Sequence, residues 1–155
     1  MDFGVIYFLK KNALALLLLV FAGLFVGVAV RQALFVKKRI TVGAKKVAVE
    51  VVKSETAKRK GLSERNSLCE DCGMLFLFPK SDFYSIWMKG MRFDIDIIWI
   101  AGARVAGITP NVPYPGPNET NFPAYYPPRP VEAVLELPAG WAQENGIKVG
   151  DEVKY

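Results

Sequence analysis

The most continuous apolar pattern in the chain comes first. From Ala13 to Val30 it reads ALALLLLVFAGLFVGVAV, eighteen residues without a charged or polar side chain. Arg31 and Gln32 alone interrupt the uncharged stretch that continues to Val36. About 20 apolar residues at 1.5 Å rise each cross a hydrocarbon core of roughly 30 Å, so the pattern predicts one transmembrane helix over about 10–36. Lys10 and Lys11 mark one interface, and Arg31 or the Lys37-Lys38-Arg39 cluster marks the other, where long basic side chains reach the headgroups. A cleaved signal peptide is the alternative, with Gly27-Val28-Ala29 as a small-x-small site. Its apolar region would normally span only about 7–15 residues. A core helix of a soluble domain is disfavoured, because so small a domain could not wrap an all-apolar helix on every side.

Beyond the helix the period changes. The sequence divides into an anchor, residues 1–40, and a soluble domain, residues 41–155. Lys45 to Lys53 alternates Val47, Val49 and Val51 against Ala48, Glu50 and Val52, which predicts a strand. Ser54 to Leu62 reads as one short helix, capped by Ser54 and stopped by Gly61. Gly73 to Phe78 is a buried strand ended by Pro79. Tyr84 to Lys89 and Ile95 to Ile100 follow, and Ala101-Gly102 turns the latter into Arg104 to Thr109. Val131 to Leu137 is another strand, Ala139 to Asn145 a short helix stopped by Gly146, and Glu152 to Tyr155 a last strand. Six or seven short strands with two short helices predict a mainly β fold, a small antiparallel barrel or sandwich-like domain preceded by the transmembrane α-helix.

One stretch breaks this rhythm. Pro110 to Pro130 holds eight of the ten prolines. A loop of about 20 residues is uncommon inside a compact domain and is usually functional. Its aromatic residues Tyr114, Phe122, Tyr125 and Tyr126 predict that it packs on the domain.

Charge narrows the function classes. Residues 1–40 carry six Lys/Arg and one Asp; residues 41–155 carry fourteen Lys/Arg and fourteen Asp/Glu. All the excess positive charge flanks the membrane helix, which leaves no basic stripe for nucleic acid. The basic residues after the helix favour a cytoplasmic domain on a literal positive-inside count. The short N-terminal tail and the paired cysteines favour an extracytoplasmic one. The chain has no histidine. Ser-His-Asp and Cys-His catalysis, His-ligated zinc and an imidazole base are therefore all excluded.

Three groups remain as candidate chemistry. Cys69-Glu70-Asp71-Cys72 holds both cysteines and fits a local disulfide, idle thiols, a redox dithiol or half a metal site. The acidic residues between the sulfurs disfavour thiolate, and the disulfide is the leading reading; no metal site and no cofactor is assigned. Asp94 and Asp96 share one strand face, roughly 6.5–7 Å apart, which invites a paired-carboxylate hydrolase. Burial of Asp96 among isoleucines argues instead for a structural ion pair with Arg65 or Arg92. Trp87 and Lys89 share a face opposite Met88. Strand aromatics are usually core, and the other reading joins Trp87 and Lys89 with Tyr114, Tyr125 and Tyr126 in a ligand cleft.

Several separated motifs resemble those of domain-of-unknown-function family 192, an uncharacterised bacterial and archaeal group. Gly61-Leu62 with Arg65 resembles its Gly-Leu-Met-x-Arg element, with Ser63 at the Met position. Gly73-Met74-Leu75-Phe76-Leu77-Phe78, Trp87-Met88-Lys89 and Asp96-Ile97-Ile98 match further elements. So do Val134-Leu135-Glu136-Leu137-Pro138-Ala139-Gly140-Trp141 and Gly146-Ile147-Lys148-Val149-Gly150-Asp151. Gly90-Met91 and Asp94 depart from it. The resemblance implies a small β-barrel-like domain, often secreted or membrane-attached, and no established reaction.

These readings converge on a single-pass membrane protein with an extracytoplasmic β-domain. Its leading role is a non-enzymatic binding or accessory module at the cell envelope. The partners expected are the lipid bilayer, through residues 10–36, and a peptide or glycan ligand, without nucleic acid. An envelope hydrolase using Asp94 and Asp96, or a thiol redox protein using Cys69 and Cys72, are the alternatives. Membrane-impermeant maleimide tests the topology in intact cells. Labelling only after reduction is the expected outcome; labelling that requires permeabilisation but no reductant would place free thiols in the cytoplasm.

Overall fold

The structure, a computed structural model, describes residues 37–116 and 118–155. The predicted membrane helix lies outside them. Among the described residues no helix is long and apolar enough to cross a membrane.

Nine strands and two short helices form the described part. Strand β1 is Lys37–Val42 and β2 is Lys45–Val52, followed by helix α1, Glu55–Lys60. Then come β3 (Cys72–Asp82), β4 (Ile86–Trp87), β5 (Ile95–Ala101) and β6 (Arg104–Val112). The chain closes with β7 (Ala124–Tyr125), β8 (Val131–Pro138), helix α2 (Trp141–Glu144) and β9 (Val153–Lys154). Seven strands make one sheet in the order β6-β5-β8-β3-β2-β1-β9, while β4 and β7 pair as a separate ribbon.

Local chemistry explains α1. The Ser54 hydroxyl accepts from the Ala57 N–H, Glu55 sits in the first turn, and Lys58, Arg59 and Lys60 occupy the last. Charges so placed complement the helix dipole. Gly61, at φ +48°, donates its N–H to the Ala57 carbonyl and ends the helix.

The sheet is mixed, which corrects the antiparallel expectation. β2 and β3 run parallel, joined by residues 53–71 as a crossover containing α1. Parallel neighbours need a dozen or more residues to return the chain, and this segment supplies them. The remaining ladders of the sheet are antiparallel. Nor is the domain a two-sheet sandwich. The single sheet curls into a half-barrel whose edges meet at one end, where Arg104 bridges Glu152. The Val105 N–H reaches the Asp151 carbonyl at 2.9 Å, and the Val153 N–H reaches the Ala103 carbonyl at 2.8 Å.

Two strands run through prolines expected to end them. β3 passes Pro79 because its pairing with β2 has already stopped at Val52 and Phe76, and a register break follows Leu77. β6 is an edge strand of the sheet and passes Pro110 at a register shift against β5. A proline costs nothing where no ladder N–H is required. The predicted strand over Tyr84–Lys89 shrinks to Ile86–Trp87, and the Lys37-Lys38-Arg39 cluster opens strand β1.

Both sheet faces are buried. The first core gathers residues from every strand of the sheet, among them Val42, Val49, Leu75, Leu135, Ile98, Val105 and Val153, with Trp141 and Ile147. The second lies on the opposite face, where Met74, Phe76, Ile97, Trp99 and Val134 meet Leu62, Met88 and Met91. That explains the near-continuous apolar runs of β5 and β8, which lie inside the sheet and are covered on both sides.

Close approach between β3 and β8 depends on Gly73. A Cβ there would lie 2.6 Å from the Glu136 carbonyl oxygen and 2.8 Å from Leu137 Cδ2. Both obstacles belong to a central strand that cannot shift alone. Gly73→Ala is therefore expected to destabilise the domain by about 1–3 kcal/mol, as overpacking typically does. Chemical denaturation measures it, and an unchanged midpoint would contradict the tight β3–β8 approach.

Candidate functional site

The second core is open at one side. A cleft of about 520 Å³ runs between α1 with the turn after it, the end of β3, and the β4 ribbon. Phe76, Met88, Met91 and Ile95 line its depth; Phe83, Trp87 and Phe122 line its upper walls. Phe83 is 56% exposed and Trp87 51% exposed, so their rings face solvent at the mouth. Inside, Phe78 and Tyr84 stack with centroids 3.6 Å apart, and the Lys58 ammonium lies 4.4 Å from the Phe78 ring centre. Lys58 is itself held by Glu55 at 2.9 Å.

The cleft ends on a carboxyl group. Strand registers place Glu50, Met74, Glu136 and Ile97 in one row across β2, β3, β8 and β5. Residues in one row point to one face, here the face of the second core. Glu136 lines the cleft and is 5% exposed; Glu50 is 8% exposed. Arg65, from the crossover, forks onto Glu50 with Nη1–Oε1 at 2.6 Å and Nη2–Oε2 at 2.7 Å. This bidentate geometry is the strong form of the carboxylate pair. Burial pushes the Glu136 carboxyl up to about 8, against a smaller opposing pull from Arg65. It is therefore a neutral carboxylic acid near neutrality, able to donate a hydrogen bond.

The family model described as DUF192, Uncharacterized ACR, matches residues 37–155. The chain belongs to this family. Two solved structures are similar to it. A protein of unknown function from Novosphingobium aromaticivorans DSM 12444 is 30% identical, with a TM-score of 0.70 over 77% of this chain and 85% of that one. A proposed transcription regulator from Sinorhizobium meliloti 1021 is 27% identical, with a TM-score of 0.67 over 77% of this chain and 94% of that one. No curated protein matches the sequence.

In this DUF192 domain the residues singled out from sequence separate. Trp87 belongs to the cleft and not to the core, and Lys89 shares its exposed face, with the ammonium 5.5 Å from the Trp87 ring centre. Tyr114, Tyr125 and Tyr126 are not among the cleft's lining residues; the proline-rich loop contributes Phe122 and Ala124 instead. The loop packs down through Tyr125 and Pro128, while Tyr114 and Tyr126 stay exposed. Tyr125 pairs with Ile86, and a Cβ on Gly107 would meet Pro128 Cδ at 2.8 Å.

The aspartates do not form a working pair. Asp96 is fully buried and accepts backbone N–H groups from Asn111 at 2.8 Å, Gly140 at 3.0 Å and Ala142 at 2.8 Å. Backbone donors thus replace the expected Arg65 or Arg92 partner; Arg65 is turned to Glu50, and Arg92 donates to Asn66 at 2.9 Å. Asp94 is exposed and accepts from the Tyr114 N–H at 2.8 Å. Both carboxylates hold loop backbone in place, and Asp96 has no face toward water from which to act on a substrate.

Cys69 and Cys72 are joined as a disulfide at the start of β3. The turn between them is tied to the sheet and to α2: the Asp71 carbonyl accepts from the Ala48 N–H at 2.9 Å, and its carboxylate accepts from the Trp141 indole at 3.0 Å. Among the described residues no cluster of three or more His, Cys, Asp or Glu is placed to hold a metal ion.

Glu50 and Glu136 were not among the residues singled out as candidates. Their signal is an acid with apolar residues on both sides of it, VAVEVV and VLEL. Arg65 was singled out for the wrong carboxylate, because its true partner lies on a strand that precedes it by 15 positions.

The buried acid makes stability depend on pH. An unfolded chain releases this proton near the ordinary value of 4.5, whereas the folded domain holds it to about 8. Between those values the folded state binds more proton, so raising pH through the window destabilises it. Wild type is expected to lose several kcal/mol of unfolding free energy relative to Glu136→Gln across that range, measured by denaturant titration. Parallel pH profiles for the two would contradict the burial argument.

Proposed function

We propose that this domain is a non-enzymatic binding module whose cleft takes an uncharged peptide segment. We further propose that residues 10–36 anchor it in the membrane, with the domain on the extracytoplasmic side at the cell envelope. The carrying observation is a cleft of ligand size, with aromatic and methionine walls and one uncharged acid at its end. Ligand pockets typically combine about 300–1,000 Å³ of mostly apolar volume with a few placed polar groups. Methionines such as Met88 and Met91 adapt to varied apolar side chains. Phe76, Met88, Met91 and Ile95 give the depth of the cleft an apolar floor that suits peptide side chains, and on that ground a peptide is favoured over a glycan. The transcription-regulator description of the Sinorhizobium protein is not carried over. Fourteen basic and fourteen acidic residues in 41–155 leave no surplus for phosphates.

N-acetyl-phenylalaninamide, a neutral aromatic peptide unit, tests the cleft by NMR titration of the labelled domain. Shifts are expected to centre on Trp87, Met88 and Met91. Trp87→Ala, at an exposed position, should weaken binding roughly tenfold through loss of one aromatic contact. Shifts confined to another surface, or binding of an N-acetylglucosamine trimer in place of the amide, would overturn the peptide reading.

A further inference from the structure

We infer that Cys69 and Cys72 form a reversible thiol–disulfide exchange site whose partner is a dithiol reductant. Cys69 is the sulfur attacked, and Cys72 is the leaving thiolate. The inference is independent of the cleft.

The two sulfurs are unequal in access. Cys69 is exposed in the turn before β3, whereas Cys72, the first residue of β3, is 5% exposed. An external thiolate therefore reaches Cys69 and not Cys72, and access decides which sulfur of a disulfide is attacked.

A cation faces the leaving sulfur. The Lys37 ammonium lies 3.4 Å from Cys72 Sγ. Strand registers place Arg39, Ala48 and Cys72 in one row across β1, β2 and β3. Lys37, two positions before Arg39, shares their face. A thiolate forming on Cys72 meets this positive charge as the S–S bond breaks, and a lysine neighbour favours the thiolate. The nearby acids do not cancel it. Asp71 is turned to the Trp141 indole at 3.0 Å, and Glu70 is exposed to water, which screens it. Glu50, opposite Lys37 in register, is already forked by Arg65.

The turn does not depend on the bond between its sulfurs. The Cys72 N–H donates to the Cys69 carbonyl at 3.0 Å, and the Ala48 N–H donates to the Asp71 carbonyl at 2.9 Å. The Trp141 indole holds the Asp71 side chain. The cross-link spans a sequence separation of only three, and a loop so short gains the least from being closed. Reduction accordingly leaves the backbone in place, with both thiols positioned to re-close.

The exchange proceeds in two displacements. A thiolate of the reductant bonds to Cys69 Sγ while the Cys69–Cys72 bond breaks, and the electron pair leaves on Cys72 Sγ. The reductant's second thiolate then attacks its own sulfur in the mixed disulfide and expels Cys69 as a thiolate. Two electrons pass to the protein, the reductant departs as a disulfide, and the protons lost by its two thiols return to the two cysteines. An oxidised partner runs the same steps in reverse.

The experiment treats the oxidised full chain, in detergent micelles, with dithiothreitol and counts free thiols by maleimide mass addition. Complete reduction without denaturant is expected, with NMR spectra unchanged away from the turn, and oxidised glutathione should restore the bond. Lys37→Met should be reduced about three- to fivefold more slowly, and Lys37→Arg, which keeps the cation, at close to the wild-type rate. With oxidised glutathione, Cys72→Ser should form its mixed disulfide at least about tenfold faster than Cys69→Ser, the fold of each variant being checked from its spectra. Resistance to dithiothreitol until denaturant is added, or loss of the fold on reduction, makes the bond a structural clasp and overturns the exchange site. Equal rates for Lys37→Met and wild type, or faster glutathione capture at Cys72, overturn the roles assigned to Lys37 and the two sulfurs.

Discussion

Arg65 forks onto Glu50 at 2.6 and 2.7 Å, and much of the second sheet face is arranged around that contact. Two acids, Glu50 and Glu136, are buried in one row of a sheet whose remaining members are apolar. Two ionised carboxylates there would be severely desolvated. Arg65 neutralises one, and burial keeps the other protonated. Because Arg65 belongs to the crossover between β2 and β3, the same contact ties that segment to the sheet and helps shape one wall of the cleft. Truncating Arg65 would leave Glu50 as an uncompensated charge, the costly way to break a buried pair.

Asp96 does the corresponding work on the other side of β5. One carboxylate collects N–H groups from Asn111, at the end of β6, and from Gly140 and Ala142, at the start of α2. Asn111 sits at φ +51°, a conformation that side-chain-bearing residues seldom adopt. The hydrogen bond to Asp96 offers it a compensating partner. Three donors from two separate segments converge on a side chain fixed in a central strand. The carboxylate is thus an internal cap for backbone that no ladder satisfies.

Asp96 and Arg65 differ in how much of their pairing lies in the local pattern. Burial of Asp96 was legible, since Ile95, Ile97 and Ile98 surround it and such a carboxylate must be satisfied. Which donors satisfy it was not, because backbone N–H groups carry no residue identity that a sequence displays. Arg65 is the converse case. It was recognisable as a partner for a buried acid, yet the register joining β2, β3 and β8 decides which acid lies beneath it.

The alternation of Val47, Val49 and Val51, the cap at Ser54 with the stop at Gly61, and the long apolar runs of β5 and β8 depend on side chains within a few positions of one another. Those features the sequence by itself determined, along with the absence of imidazole chemistry and the β-rich class. Membership of DUF192 follows from the match of the family model to residues 37–155. Tertiary structure alone decided the parallel pairing of β2 with β3, the meeting of Arg104 with Glu152, and the row that aligns Glu50 with Glu136. Each joins residues from strands that are distant in sequence or reached only through a crossover. Strand order and register arise from packing both faces of a curled sheet at once, and no single strand's pattern encodes that. The cleft belongs to the same class of fact, being the space left where a crossover, a two-residue ribbon and a proline-rich loop cover one face incompletely.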